Sequence, residues 1–215
     1  MNYKKKFEKM IRKIFFICFS FALIILVNSC GKNYTPAEEA YIKEINEIRK
    51  QKDEEFKSSL YSPFNQDVNA HFTPLKYFDV DPAFKFKSKL YEYESKDTVK
   101  VLGTKGEERK AVRYGYLKFM YDETEYKVNV YKGWSDNGQE YFSIWFTDKT
   151  TGEETYGVGR YLDFELSPSK EFTYTIDFNL AYNPYCAYSA TYSCAIPTKE
   201  DHLDIEINAG EKNFH

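Results

Sequence analysis

"YKVNVYKGWSDNGQEYFSIWFT", residues 126–147, carries the pattern that decides the fold. Tyr126, Val128 and Val130 alternate with Lys127 and Asn129; after a turn signal at Asp136-Asn137-Gly138, Phe142, Ile144 and Phe146 alternate with Ser143 and Thr147. A period of two sends successive side chains to opposite faces of an extended chain, so both runs read as antiparallel strands with one buried face. The period continues outward. Phe84, Phe86, Ser88 and Leu90 alternate with Lys85, Lys87 and Lys89, and Leu203, Ile205 and Ile207 alternate with Asp204, Glu206 and Asn208. Further turn signals stand at Val80-Asp81-Pro82, Gly103-Thr104-Lys105-Gly106 and Thr151-Gly152-Glu153. The expected architecture is mainly β: an antiparallel β-sandwich or partly closed barrel of about eight strands with one N-terminal α-helix.

That helix has a clear start. Thr35 is a cap, Pro36 occupies the first helical position and Glu38 closes a capping box. Ile42, Ile45 and Ile48 recur at helical spacing with Tyr41 and Phe56 extending the apolar side, while Lys43, Glu44, Glu47, Arg49 and Lys50 are expected in water. The spacing predicts a helix from Pro36 to near Lys57 within a segment spanning 36–60, followed by a β domain over 61–215.

Upstream, a basic run MNYKKKFEKMIRK precedes fourteen apolar residues from Ile14 to Val27. As a helix these would cover about 21 Å, short of the ~30 Å of a bilayer core, so they read as the apolar region of an export signal. Val27-Asn28-Ser29-Cys30-Gly31 resembles a bacterial lipobox. The resemblance implies a signal peptide over 1–29, lipidation of Cys30 and a short linker over 30–35. It makes the membrane a partner through acyl chains worth about 0.8 kcal/mol per buried methylene. Lys32 and Asn33 show neither an acidic surface-export run nor an inner-membrane retention aspartate, so by resemblance to sorting signals the expected location is the outer membrane, facing the periplasm.

Charge and cysteines follow from that removal. Residues 1–29 hold six basic side chains and one acidic, so a chain of net charge −3 leaves a mature part near −8. Nucleic acid is then an unsuitable partner, because its binders need a basic footprint. With Cys18 removed and Cys30 lipidated, Cys186 and Cys194 remain, and in an oxidising compartment they are expected to form a disulfide around residues 187–193. The pair with His202 lacks the spacing of a metal site, so neither a metal nor another cofactor is expected.

The candidate site lies in "DFNLAYNPYCAYSATYSC", residues 177–194. Read as a strand, "TYTIDFNLAYNP" puts Asp177 and Asn179 on one face. "TYGVGRYLDF" puts Tyr156, Val158, Arg160 and Leu162 on one face and Gly157 and Gly159 on the other, where backbone could approach closely. If the two strands are neighbours, Arg160 comes within reach of Asp177 or Glu211, with Tyr156 and Asn183 nearby. Such a cluster is either a buried network fixing the corner or an open cleft holding a ligand. Exposure of Tyr182, Tyr185 and Tyr188 would make a stacking platform for sugar or peptide.

Four blocks, "VRYGYLKF" (112–119), "FTDKTTGEETYGVGRYLD" (146–163), "DFNLAYNPYCAYSATYSC" (177–194) and "LDIEINAGEK" (203–212), resemble the signature blocks of the domain of unknown function 1684 family. The chain departs from that pattern at Tyr185 and Thr198, where prolines are typical, and at Asp201, where asparagine is. The resemblance implies no established activity. The residues suggest a lipid-anchored envelope module binding an unknown small ligand or envelope component. The alternative is a small envelope hydrolase using Asp177, Arg160 and Glu211, or Asp148, in acid–base chemistry on saccharide or peptide. Substituting Cys30→Ala is expected to abolish palmitate labelling and leave the signal uncleaved; a mutant still processed and labelled would refute the lipobox.

Overall fold

A computed structural model describes residues 32–135 and 137–215; the signal segment, Cys30 and Asp136 lie outside the described residues. The chain divides after Glu39, and Ala40–His215 form one compact unit. Ahead of that division, Thr35 and Glu38 form the expected capping box: Glu38 Oε2 accepts from the Thr35 amide at 2.7 Å and Thr35 Oγ1 accepts from the Glu38 amide at 3.3 Å. They open helix α1, Pro36–Ser58.

The buried stripe of α1 differs from the isoleucine stripe of the sequence. Ile45, Arg49 and Phe56 are buried, whereas Ile48 is 41% exposed. Arg49, expected in water, turns inward because its guanidinium finds backbone acceptors: Nη1 donates to the Phe78 carbonyl at 2.8 Å and Nη2 to that of Asn179 at 3.1 Å. It also lies 4.5 Å from the centre of the Tyr77 ring.

The described residues hold nine strands in two sheets: β1 (Lys85–Ser88), β2 (Leu90–Glu92), β3 (Thr98–Leu102), β4 (Glu108–Tyr121), β5 (Thr124–Trp134), β6 (Glu140–Asp148), β7 (Arg160–Phe164), β8 (Tyr174–Asp177) and β9 (His202–Leu203). The larger sheet runs β2-β4-β5-β6-β7 with β3 also on β4 and β9 on β6, and β1 pairs with β8 alone. Every pairing is antiparallel except the short parallel contact of β9 with β6. Neither sheet closes, so the sandwich alternative holds and the barrel does not. The register of β4 against β5 shifts between Arg113 and Gly115, and there the far edge of β4 passes from β3 to β2.

The apolar alternation sorts onto two faces. Leu117, Phe119, Val128, Val130, Ile144 and Phe146 enter a core shared with Ile176 and Phe178, while Tyr131 and Trp145 pack on the opposite face with Val101 and Ala195. On that second face Asp201 is buried as an acceptor for Asn129 Nδ2 and the Tyr131 hydroxyl, both at 2.8 Å, and for the Thr198 amide.

Three expected strands are shorter or absent. After β8 the chain leaves the ladder: Asp177 caps a 3₁₀ turn over Phe178–Leu180, its carboxylate accepting from the Asn179 amide at 3.1 Å while Phe178 drops into the core. Residues 156–159 precede β7 as a turn, and beyond Leu203 the chain to Ala209 forms no named strand although Ile207 is wholly buried. Burial follows the alternation there, but the backbone bonds go elsewhere, to the Arg160 side chain among others. Because Ile45 is 2% exposed, Ile45→Ala is expected to destabilise the domain by about 2–4 kcal/mol; an unchanged urea midpoint would show that α1 contributes no stability through this residue.

Candidate functional site

Arg160 begins β7 and is fully buried, as is its partner Asp148 at the end of β6. Nη2 donates to Asp148 Oδ2 at 2.8 Å and to the Ile207 carbonyl at 2.9 Å, and Nη1 donates to the carbonyls of Ala209 and Glu211. Asp148 also accepts from the Thr150 amide at 2.8 Å and hydroxyl at 2.6 Å. Burial lowers the guanidinium's pKa and Asp148 opposes that shift. The close approach needs Gly159: its φ is +102°, and a Cβ there would lie 2.5 Å from the Phe146 carbonyl.

Asp177 sits elsewhere. Both its oxygens accept from the Tyr41 hydroxyl, at 2.7 and 2.8 Å, and Lys85 Nζ stands 3.9 Å away. Asn179 beside it clamps the Asp81 backbone, accepting from its amide and donating to its carbonyl, each at 2.8 Å. Glu211 forms a third node. Lys52 Nζ reaches Oε1 at 2.6 Å, while the Asn183 amide at 2.8 Å and the Tyr188 hydroxyl share Oε2. Gly210 permits this placement with φ +77°, where a Cβ would meet the Ala181 carbonyl at 2.6 Å. Asn183 adds a bond from Nδ2 to the Lys212 carbonyl at 2.8 Å.

The expected convergence of Arg160, Asp177 and Glu211 therefore does not occur. β7 pairs with β6 and β8 with β1, so the two strands are not neighbours in a ladder, and Arg160 meets the backbone of Glu211 rather than its carboxylate. Tyr156 lies with the cysteines instead: its hydroxyl donates to the Cys186 carbonyl at 3.3 Å. Sequence reasoning missed Tyr41, Lys52 and Tyr188 as partners of these carboxylates. The run Tyr41, Ile45, Arg49, Lys52, Phe56 follows helical spacing and was the signal available for the first two.

What the corner does form is a groove of about 960 Å³. Ile48, Gln51, Lys52 and Glu55 of α1 line one side, Tyr141, Trp145, Tyr161 and Asp163 of the sheet another, and Tyr182, Tyr185, Tyr192 and Cys194 a third. Tyr141 and Tyr185 are 42% and 40% exposed, and the Tyr185 and Tyr192 rings meet edge to face at 5.1 Å. Of the three tyrosines named for a platform, Tyr185 is open, Tyr182 is half-buried and Tyr188 is buried. Tyr182 donates to Asp163 Oδ1 at 2.7 Å and is bridged through its backbone to Tyr161.

The sequence pattern of the family described as "Protein of unknown function (DUF1684)" matches residues 70–212. The chain belongs to the DUF1684 family. An uncharacterised protein from locus rrnAC0354 of Haloarcula marismortui, solved in solution by NMR, is similar in fold and sequence. Its TM-score is 0.59 and its identity 30%, over 82% of this chain and 96% of that one. No curated protein matches the chain.

In this DUF1684 protein Cys186 and Cys194 are free thiols, not joined in the disulfide expected of them. The physical reason is a set of non-covalent bonds that holds the sulfurs side by side. The Cys186 amide donates to Cys194 Sγ at 3.2 Å, and the Tyr156 hydroxyl lies 3.8 Å from Cys186 Sγ. The hydrogen bond with Cys194 pushes the Cys186 thiol down to about 6, helped by Tyr156 and Thr104 and opposed by burial. The same bond, with burial, pushes Cys194 up, so Cys194 stays protonated and donates to the Cys186 thiolate. Among the described residues no group of three His, Cys, Asp or Glu side chains could hold a metal ion.

Arg160→Met leaves Asp148 charged and buried, so the DUF1684 domain is expected to lose about 3–5 kcal/mol. Adding Asp148→Leu should restore part of that loss. Urea melts showing the single variant as stable as the wild type would contradict the placement of this pair.

Proposed function

We propose that the protein is a lipid-anchored cell-envelope module that binds saccharide in its tyrosine-lined groove. The observation that carries the reading is the division of labour at the corner. The buried carboxylates Asp148, Asp177 and Glu211 are occupied by protein donors, while the rings of Tyr141 and Tyr185 stay open beside half-buried Tyr192. A pyranose presents an apolar C–H face that stacks on an aromatic ring and hydroxyls that need both donors and acceptors. Gln51, Glu55, Asp163 and Ser143 line the same groove and supply them. The groove cations Lys52 and Arg109 are already paired, with Glu211 at 2.6 Å and Glu107 at 2.7 Å, which favours a neutral ligand over an anionic one.

The hydrolase alternative is weakened because Arg160, Asp177 and Glu211 do not converge, whereas glycoside hydrolysis uses two carboxyl groups facing one substrate bond. Asp177 alone of the three lines the groove, and its oxygens already accept from Tyr41 and Asn179. Envelope anchoring is supported by the apolar run and the lipobox at Cys30; outer-membrane placement facing the periplasm rests on the residues after it. No helix among the described residues is long and apolar enough to cross a membrane.

Titration of tryptophan and tyrosine fluorescence with neutral envelope oligosaccharides should reveal saturable binding. Tyr185→Ala should weaken it about ten-fold, the loss of roughly 1.4 kcal/mol typical of a truncated aromatic anchor. Equal affinity in Tyr185→Ala and wild type would move the ligand off this groove. Turnover of a saccharide that disappears in Asp177→Asn would revive the hydrolase.

A further inference from the structure

We propose that Cys186 and Cys194 form a dithiol that a hydroperoxide oxidises, Cys186 taking the oxygen and Cys194 closing the disulfide. The fold brings the sulfurs together without a bond between them. Cys194 is held by Thr104, whose hydroxyl accepts the Cys194 amide at 3.2 Å and whose amide donates to the Cys194 carbonyl at 3.0 Å. The intervening loop is fixed independently, through Tyr188 on Glu211 and Ser189 on Asp67 at 2.8 Å. Both thiols are thus positioned before any reaction.

The two sulfurs differ in the way that an attacking and a resolving thiol must. Cys186 is half-buried and Cys194 buried, so Cys186 is the more open residue of the two. Hydroxyls of Tyr156 and Thr104 and the Cys194 thiol surround its sulfur. The titratable groups facing the pair are Tyr156, Tyr161 and Arg109; burial raises both phenols, so they remain donors, and Arg109 acts on Cys194. A thiolate favoured by such donors is the reactive form.

The chemistry balances. The Cys186 thiolate attacks the hydroperoxide, forming an S–O bond and breaking O–O; the departing alkoxide or hydroxide takes a proton from water. The Cys194 sulfur then attacks the sulfenic sulfur, S–S forms, S–O breaks, and the leaving hydroxide takes the Cys194 proton to give water. Two thiols are oxidised by two electrons, and one hydroperoxide is reduced to alcohol and water. Because Cys194 lines the groove together with Tyr185, which precedes Cys186, and Tyr192, two residues before Cys194, the modification falls in the wall of the ligand site, although it does not depend on what that site binds.

The test uses the reduced full chain, equimolar hydrogen peroxide and peptide mapping. Wild type should yield a Cys186–Cys194 crosslink. Cys194→Ser should accumulate a sulfenic acid at Cys186 that dimedone traps, and Cys186→Ser should leave Cys194 unmodified. Alkylation of wild-type Cys186 needs no variant and should rise through about pH 6. At pH 6.5 it should exceed the rate of free cysteine roughly five-fold, the net of a far larger thiolate fraction and a lower intrinsic nucleophilicity. The proposal is overturned if Cys186 alkylates no faster than free cysteine, if Cys194 reacts first, or if both thiols survive the peroxide. It is equally overturned if the native protein carries a disulfide that dithiothreitol opens only after unfolding, since that bond would be a permanent staple.

Discussion

The guanidinium of Arg160 is the constraint on which the C-terminal third of the structure depends. An ion pair with both side chains fully buried bears a desolvation cost of several kcal/mol per ion unless the remaining donors and acceptors are filled. Asp148 meets the charge, and carbonyls from Ile207, Ala209 and Glu211 take further bonds. Those carbonyls belong to a segment outside the named strands, whose buried polar groups need partners as any buried backbone does. One side chain therefore takes three carbonyls, beside the backbone bonds that join Ile205, Gly210 and Glu211 to Lys149, Phe78 and Ala181. Because it fixes Ala209 to Glu211, it also sets where the Glu211 carboxylate meets Lys52, Asn183 and Tyr188.

A second device recurs through the molecule. Four carboxylates each accept from a tyrosine hydroxyl: Asp177 from Tyr41, Asp201 from Tyr131, Asp163 from Tyr182 and Glu211 from Tyr188. In each case burial, then the neighbouring carboxylate, raises the phenol, so the hydroxyl stays protonated and the carboxylate keeps its donor. A tyrosine suits this task because its ring fills apolar space while its hydroxyl donates to a carboxylate, so the same residue type covers the sheets and hydrogen-bonds buried Asp177, Asp201 and Glu211 as well as exposed Asp163.

Much of the β architecture was legible because period-two alternation reports burial directly, and the capping box at Thr35 and Glu38 reports a helix start by local bonds. The failures share a cause. Alternation shows which side chains go inward but not where the backbone bonds go, so Ile205 and Ile207 read as a strand, whereas the Ile205 carbonyl takes the Lys149 amide and the Ile207 carbonyl takes the Arg160 guanidinium. Asp177 was placed correctly with Asn179 but wrongly with Arg160, because pairing of β7 with β8 cannot be deduced from either strand alone. Arg49 was assigned to solvent from its charge, whereas its long stem and planar fork let it reach two carbonyls under the helix. For the cysteines, counting thiols gave a pair and its proximity; the bonding state depends on surrounding donors that lie up to 90 residues away, such as Thr104 on Cys194.

The same occupancy of Asp148, Asp177 and Glu211 by protein donors bears on the ligand proposed for the groove. A ligand entering it meets aromatic faces, an amide, hydroxyls and acidic oxygens, while the cations there already have partners. For a saccharide in the proposed site, selectivity would come from shape and hydroxyl pattern rather than from charge, because binding a ligand that lacks a matching hydroxyl would leave a buried polar group unpaired. Tyr185 contributes one of the two open rings, and none of the carboxylate nodes at Asp148, Asp177 and Glu211 uses it as a partner, so the ring face and the buried frame beneath it are built from separate residues.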